Sequence, residues 1–280
     1  MKLAYYTFDS GAKNYAEQVE HAMRYGCRAI EPLTVLDFAS GDPEPARRTR
    51  ALMDENAIVC PCFSMYVEVM RDKDAYPRIC RAIDQAAILG SPYFHHTIGP
   101  DAYPGQPFSE YLGIAVDMIR RTSDYASQYG IQILIEPQGL TMNGIKHLSA
   151  LYEAVDRPIG AVLDTGNILQ SPDSCEDYIR VFGSYIRHVH IKDMFIRKTA
   201  PLCPDANWEK SMNGLPQTCR QTVIGQGDLD LVGILGMLKD LHYDGWYGLE
   251  YCAPEAFDRY YPLSQRNFID LYHRVFGEEA

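Results

Sequence analysis

The chain has 280 residues, 46% hydrophobic and only 22% charged, which is ample material for a large core and excludes intrinsic disorder as a description of the whole. Its 26 Lys and Arg stand against 37 Asp and Glu, a formal net charge of −11, so general binding to phosphate backbones or anionic lipid is not expected. No run of about 18 apolar residues reads as a membrane span, and the eight scattered cysteines hold no C-x-x-C pair, so the expectation is a cytoplasmic protein with reduced, mostly buried thiols.

The first strand is predicted at Leu3–Phe8, and Asp9 arrives before a signal-peptide core could form. A helical run follows with Tyr15, Val19, Ala22 and Met23 on one face, ending at Gly26. Strands are expected at Ala29–Leu33 and Ile58–Ser64, then a helix with Ile79, Ile83 and Ala87 on one face that stops at Gly90. Tyr93–Ile98 is the next strand, and a further helical run closes at Gly130 directly before Ile131–Pro137. The remaining strands are Ile159–Asp164, Ile186–Ile191 and Trp246–Tyr251. Eight βα units in 280 residues average 35 residues each, which predicts one α/β domain over 1–280, a single (β/α)₈ TIM barrel. A doubly wound sheet is disfavoured by the strand count and by the lack of a G-x-G-x-x-G after the first strand.

One spacing is abnormal. More than fifty residues separate Asp193 from Trp246, and only Leu229–Leu241 reads as a helix. Segment 194–227 is expected to be a long loop over the C-terminal face of the barrel, a lid or binding loop, with an oligomer contact as the alternative.

Four side chains stand at the predicted C-terminal ends of the last four strands: Glu136 in ILIEPQ, Asp164 in AVLDTGN, His190 in RHVHIKD and Glu250 in YGLEY. Each follows an apolar run, where an ionised carboxylate is costly without a cation or a hydrogen-bond network. Side chains at adjacent strand ends converge on the barrel axis, and three carboxylates facing one another call for a neutralising metal. An oxygen-rich site with one imidazole suits Mn²⁺ first, with Mg²⁺, Co²⁺ or Zn²⁺ as alternatives.

These motifs, with GQGDLD at 225–230, resemble the xylose isomerase-like TIM barrels over nearly the whole chain. That superfamily includes sugar phosphate isomerases and epimerases, ketose 3-epimerases, hydroxypyruvate isomerase, inosose dehydratase and, more distantly, endonuclease IV. The resemblance implies that Glu136, Asp164, His190 and Glu250 bind one catalytic divalent metal ion, and that Glu136 and Glu250 also serve as the acid/base pair. It also implies a homo-oligomer, a dimer or tetramer. Departures narrow it: Asn167 stands where the ketose epimerases carry His, Met142 where they carry a substrate-binding Glu, and Ile196 where they carry Arg, with Arg197 one residue on. The D-x-H that endonuclease IV needs after the seventh strand is missing, which together with the acidic charge speaks against a nuclease.

The chemistry fits. Epimerising or isomerising a ketose removes a proton next to a carbonyl, and the enediolate formed needs an electrophile on its oxygens and carboxylates to give and take the proton. The expected activity is therefore a metal-dependent sugar or sugar phosphate epimerase or isomerase, acting on a small polyhydroxylated carbonyl compound. A dehydratase of the inosose or dehydroshikimate kind using the same metal site is the alternative.

Substrate-binding candidates surround this set. His95 and His96 end the fourth strand, one must face the barrel interior, and His96 is the expected one. His188 should lie one layer below His190, with Lys192 one layer above it to bind a substrate oxygen or pair with a carboxylate. Glu31 is an expected hydrogen-bond acceptor for substrate, Asn167 and Arg197 further polar contacts, and Tyr6 and Trp208 an apolar wall.

Overall fold

The computed structural model describes residues 1–6, 10–99, 106–139, 141–197, 209–210, 218–250 and 257–277. Its strands are β1 (Leu3–Tyr6), β2 (Ala29–Ile30), β3 (Phe63–Met65), β4 (Tyr93–His96), β5 (Gln132–Ile135), β6 (Gly160–Asp164), β7 (Ile186–Ile191), β8 (Asp193–Arg197), β9 (Glu209–Lys210), β10 (Thr218–Thr222) and β11 (Tyr247–Glu250). The main helices are α1 (Tyr15–Arg24), α2 (Pro43–Glu55), α3 (Ala75–Leu89), α4 (Phe108–Ala126), α5 (Ile145–Ala154), α6 (Cys175–Phe182), α7 (Leu231–Asp240) and α8 (Phe257–Phe276).

Eight parallel strands pair in the order β2-β1-β11-β7-β6-β5-β4-β3. Parallel bridges Ala29↔Val59 and Leu33↔Ser64 join the two outer strands of that order, closing the (β/α)₈ barrel that the strand count predicts. Alternation along each strand divides the core in two. Tyr5, Phe63, Phe94, Ile133, Ile135, Leu163, Val189 and Leu249 point outward into the cluster shared with the helices, whereas Cys62, Leu134 and Val162 meet inside the barrel.

Local signals explain the helices. Asn14 caps α1 by accepting from Glu17 N, and Tyr15, Val19 and Ala22 are buried on one face; Met23, expected beside them, is 46% exposed. Gly26, Gly90 and Gly130 all adopt positive φ at the ends of helical runs, the left-handed conformation that only glycine takes without strain. Cys27, Cys60, Cys62, Cys175 and Cys219 are buried free thiols and Cys80 is a half-buried one, while Cys203 and Cys252 lie outside the described residues.

Of the long loop expected over 194–227, residues 198–208 and 211–217 lie outside the described residues. Among its described residues, β8, β10 and β9 form a three-stranded antiparallel sheet, with Thr218 opposite Arg197 and Thr222 opposite Asp193. Backbone pairing between the two arms of the excursion satisfies the N–H and C=O groups that an irregular loop would leave to water. The base of the excursion is tied by Asp193, 1% exposed, whose carboxylate accepts from the backbone N–H groups of Met194 (2.9 Å), Gly225 (2.8 Å) and Gly227 (2.8 Å). A Cβ at Gly227 would collide with that carboxylate and lie 2.8 Å from Met194 N. Gly227→Ala is therefore expected to destabilise the protein by about 1–3 kcal/mol, read from denaturant unfolding; an unchanged midpoint would remove Asp193 as the clasp.

Candidate metal centre

The four motif residues come together as the sequence predicts. In sheet order β11-β7-β6-β5, Glu250, His190, Asp164 and Glu136 stand on four neighbouring strands, all buried, with one candidate ligand atom from each lying within 4.8 Å of the others. Asp164 Oδ1 accepts from the backbone N–H groups of Gly166 (2.8 Å) and Asn167 (2.7 Å), which turns Oδ2 toward the cluster. That buried Oδ2 makes no hydrogen bond and faces Lys192 Nζ at 3.0 Å. Lys192 Nζ also lies 3.0 Å from Glu250 Oε1 and donates to Asn167 Oδ1 at 2.9 Å.

His190 is held from both sides. Its Nε2 bonds Glu31 Oε1 at 2.8 Å, its Nδ1 lies 2.7 Å from Glu136 Oε1, and Tyr6 stacks on the ring at 4.5 Å. Glu31 also accepts from Ser64 Oγ (3.0 Å) and meets His188 Nε2 at 2.6 Å. Carboxylates on both ring nitrogens, working against burial, hold the His190 imidazolium well above its ordinary range. Burial opposes ionisation of Glu31, but His188 and His190 outweigh it and hold its carboxyl well below the usual range. For Glu136 burial is likewise outweighed, by His95, His190 and Lys192, and the carboxyl falls to about 2. Burial pushes Glu250 up to about 7, with Asp164 and Glu136 adding to the rise against Lys192 and His190.

The donor set fits a divalent cation. Four buried carboxylates, counting Glu31, share the cationic groups His190 and Lys192, and Asp164 Oδ2 makes no hydrogen bond and has Lys192 Nζ as its nearest cation. With Nε2 committed to Glu31, Nδ1 is the His190 atom left for an ion, and a carboxylate behind a ligand imidazole fixes its tautomer and orientation. Glu31→Gln is expected to weaken divalent-ion affinity by about tenfold or more, measured by competition with a chromophoric chelator; an unchanged affinity would show that Glu31 plays no such part.

Several side chains expected at the substrate lie elsewhere. Glu31 is 3% exposed, engaged by Ser64, His188 and His190, and is not among the residues that line the pocket over the cluster. His96 is not the inward histidine. Phe94 belongs to the outer core, so His96, two residues on, also points outward, where its Nε2 meets Thr122 Oγ1 of α4 at 3.2 Å. His95 takes the inward place, opposite Leu134 in register and 3.5 Å from Glu136 Oε2. Arg197 is exposed at the end of β8 and does not line the pocket, and Trp208 lies outside the described residues. His188 sits below His190 as expected.

A small pocket, partly open to solvent, lies over the cluster. Tyr6, Asn167, Glu136 and Glu250 line it as expected, joined by His95 and Gln138. The sequence motifs mark neither Gln138 nor Gln221 as a site residue. The alternation Leu134, Glu136, Gln138 could have found the first; Gln221 Nε2 donates to the Glu250 backbone carbonyl from β10, a contact with no local signal.

Residues 19–267 match the family model described as xylose isomerase-like TIM barrel. Inosose dehydratase of Geobacillus thermodenitrificans is 26% identical over 148 residues, which span 50% of this chain and 47% of that protein, so about half of that curated relative is matched. The crystal structure of IolI protein with a binding zinc atom superposes with a TM-score of 0.77 at 19% identity, covering 99% of each chain. D-Psicose 3-epimerase in the presence of D-fructose superposes with a TM-score of 0.70 at 17% identity, covering 99% of this chain and 100% of that one. At these identities the likeness to solved structures is one of fold.

Proposed function

The chain belongs to the xylose isomerase-like TIM barrel family, and from that membership we propose that it is a divalent-metal-dependent sugar epimerase or isomerase in which Glu136 and Glu250 are the acid/base pair. One observation carries this reading: the two glutamates come from the outer members of a four-strand arc, with Asp164 and His190 between them, and both line the same pocket. Glu136, Asp164, His190 through Nδ1, and Glu250 would hold the ion. When bound, a divalent ion supplies a Lewis acid for the carbonyl and hydroxyl oxygens of the substrate.

The remaining work falls to the protein. A carboxylate oxygen of one glutamate takes the proton from the carbon next to the carbonyl, and the other glutamate returns a proton to that carbon from the opposite side. Asn167 and Lys192 hold one another at the rim, Tyr6 covers the His190 ring, and the Asp164 main-chain contacts keep its carboxylate from turning away. Manganese is the first expectation for the ion. A second reading, dehydration, draws on the sequence likeness to inosose dehydratase, for a glutamate that faced a departing hydroxyl would protonate it instead of a carbon.

Incubation with Mn²⁺ and a panel of ketoses, ketose phosphates and inososes in deuterated water separates the two. Epimerisation leaves deuterium on recovered sugar, and dehydration yields a product lighter by one water. Neither label nor a new product with any member of the panel would overturn both readings.

A further inference from the structure

We propose that His95 and Gln138 form a hydroxyl-binding subsite on the β4–β5 wall of the pocket, one that accepts hydrogen bonds from an unphosphorylated part of the sugar. The proposal rests on the epimerase reading above and names part of what that site selects.

The polar side chains lining the pocket are mostly committed. Ser64 Oγ donates to Glu31 Oε1 at 3.0 Å, Thr97 Oγ1 donates to Val67 O and accepts from Val67 N at 2.7 Å, and Asn167 Oδ1 accepts from Lys192. Glu136 and Glu250 belong to the carboxylate cluster. Beyond that cluster, two lining side chains carry a buried polar atom with no hydrogen-bond partner, His95 at Nδ1 and Gln138 at Oε1. Buried polar atoms are nearly always paired, so two orphans in one pocket wall point to a ligand that pairs them.

Their chemistry sets what that ligand is. Glu136 Oε2 stands 3.5 Å from His95 Nε2, so the ring proton belongs on Nε2 and Nδ1 presents a lone pair. Gln138 Oε1 is an acceptor by nature. Two acceptors require donors, which sugar hydroxyls supply. A phosphate ester brings anionic oxygens that face both lone pairs unfavourably. Both residues line one pocket: His95 is opposite Leu134 in the β4–β5 register, and Gln138 follows Glu136 just beyond the end of β5. The subsite therefore adjoins Glu136, while Leu33 and Met65 give the pocket its apolar lining.

The test uses the manganese-loaded protein with D-fructose, D-psicose, D-tagatose, D-xylulose and an inosose, then singly deoxygenated analogues of whichever is turned over fastest. One deoxy analogue is expected to lose about 10²-fold or more in kcat/KM, because a site built to pair a hydroxyl rejects a compound lacking it. In Gln138→Leu the parent sugar should lose a similar factor, chiefly in KM, and the deoxy penalty should shrink by about tenfold as the interaction is already gone. His95→Phe should act alike, and the deoxy series on the unaltered protein stands even if that buried substitution prevents folding. Equal kcat/KM for parent and every deoxy analogue, or Gln138→Leu matching the unaltered protein, overturns the subsite while leaving the epimerase reading in place. No turnover of this panel or of ketose phosphates by the unaltered protein removes the epimerase reading and the subsite with it.

Discussion

Glu136→Gln and Glu250→Gln are each expected to lower isotopic exchange by about 10³-fold or more, the range that positioned proton transfer supplies. The amide keeps the size and one acceptor oxygen but can neither take nor release a proton at ordinary pH. Each substitution also removes an anionic candidate ligand from a cluster whose ligand atoms lie within 4.8 Å of one another, so metal content should fall in the same samples. The two variants differ in their neighbours. Glu136→Gln takes the nearest carboxylate from His190 Nδ1, which keeps Asp164 and Glu250 at 3.8 Å, and the carboxylate beside His95 Nε2, whereas Glu250→Gln leaves Lys192 Nζ with Asp164 and Asn167. Exchange within threefold of the unaltered protein in either variant would remove that glutamate from the acid/base pair, and full metal occupancy in both would remove the pair as ligands.

Removing divalent ions with a chelator is the second large effect. Exchange should cease and return when Mn²⁺, Mg²⁺, Co²⁺ or Zn²⁺ is restored, the ion giving the fastest turnover identifying the working metal. Stability should follow, because an ion that binds only the folded chain contributes about 2.7 kcal/mol at a concentration of 100 Kd. For a chain of this length that corresponds to a rise of about 5 °C in the unfolding midpoint. The physical reason is the concentration of Glu31, Glu136, Asp164 and Glu250 in a buried space that His190 and Lys192 only partly neutralise. Sustained exchange in a sample shown to be free of metal would sink the metal-dependent reading, whatever the midpoint did.

Much of this was legible in the chain. The eight βα units follow from apolar runs punctuated by helix-stopping glycines such as Gly26, Gly90 and Gly130, all at positive φ in the structure. The convergence of Glu136, Asp164, His190 and Glu250 follows from their common place at the ends of consecutive strands, because a closed parallel barrel brings those ends to one mouth. What strand patterning does not carry is its own phase: HHTI allows either histidine to face inward, and the partners of Phe94 and Leu134 in the two cores decide it.

The amino-acid sequence by itself determined the barrel and the four residues at its mouth, since both depend on local periodicity and on position within a strand. The tertiary structure alone decided that His95 replaces His96 at the pocket, that Glu31 bonds His190 beneath the cluster, and that Asp193 ties the excursion after β7. Each of these rests on a hydrogen bond or packing contact between residues far apart in the chain or on different strands, and only the closed fold brings such partners within reach.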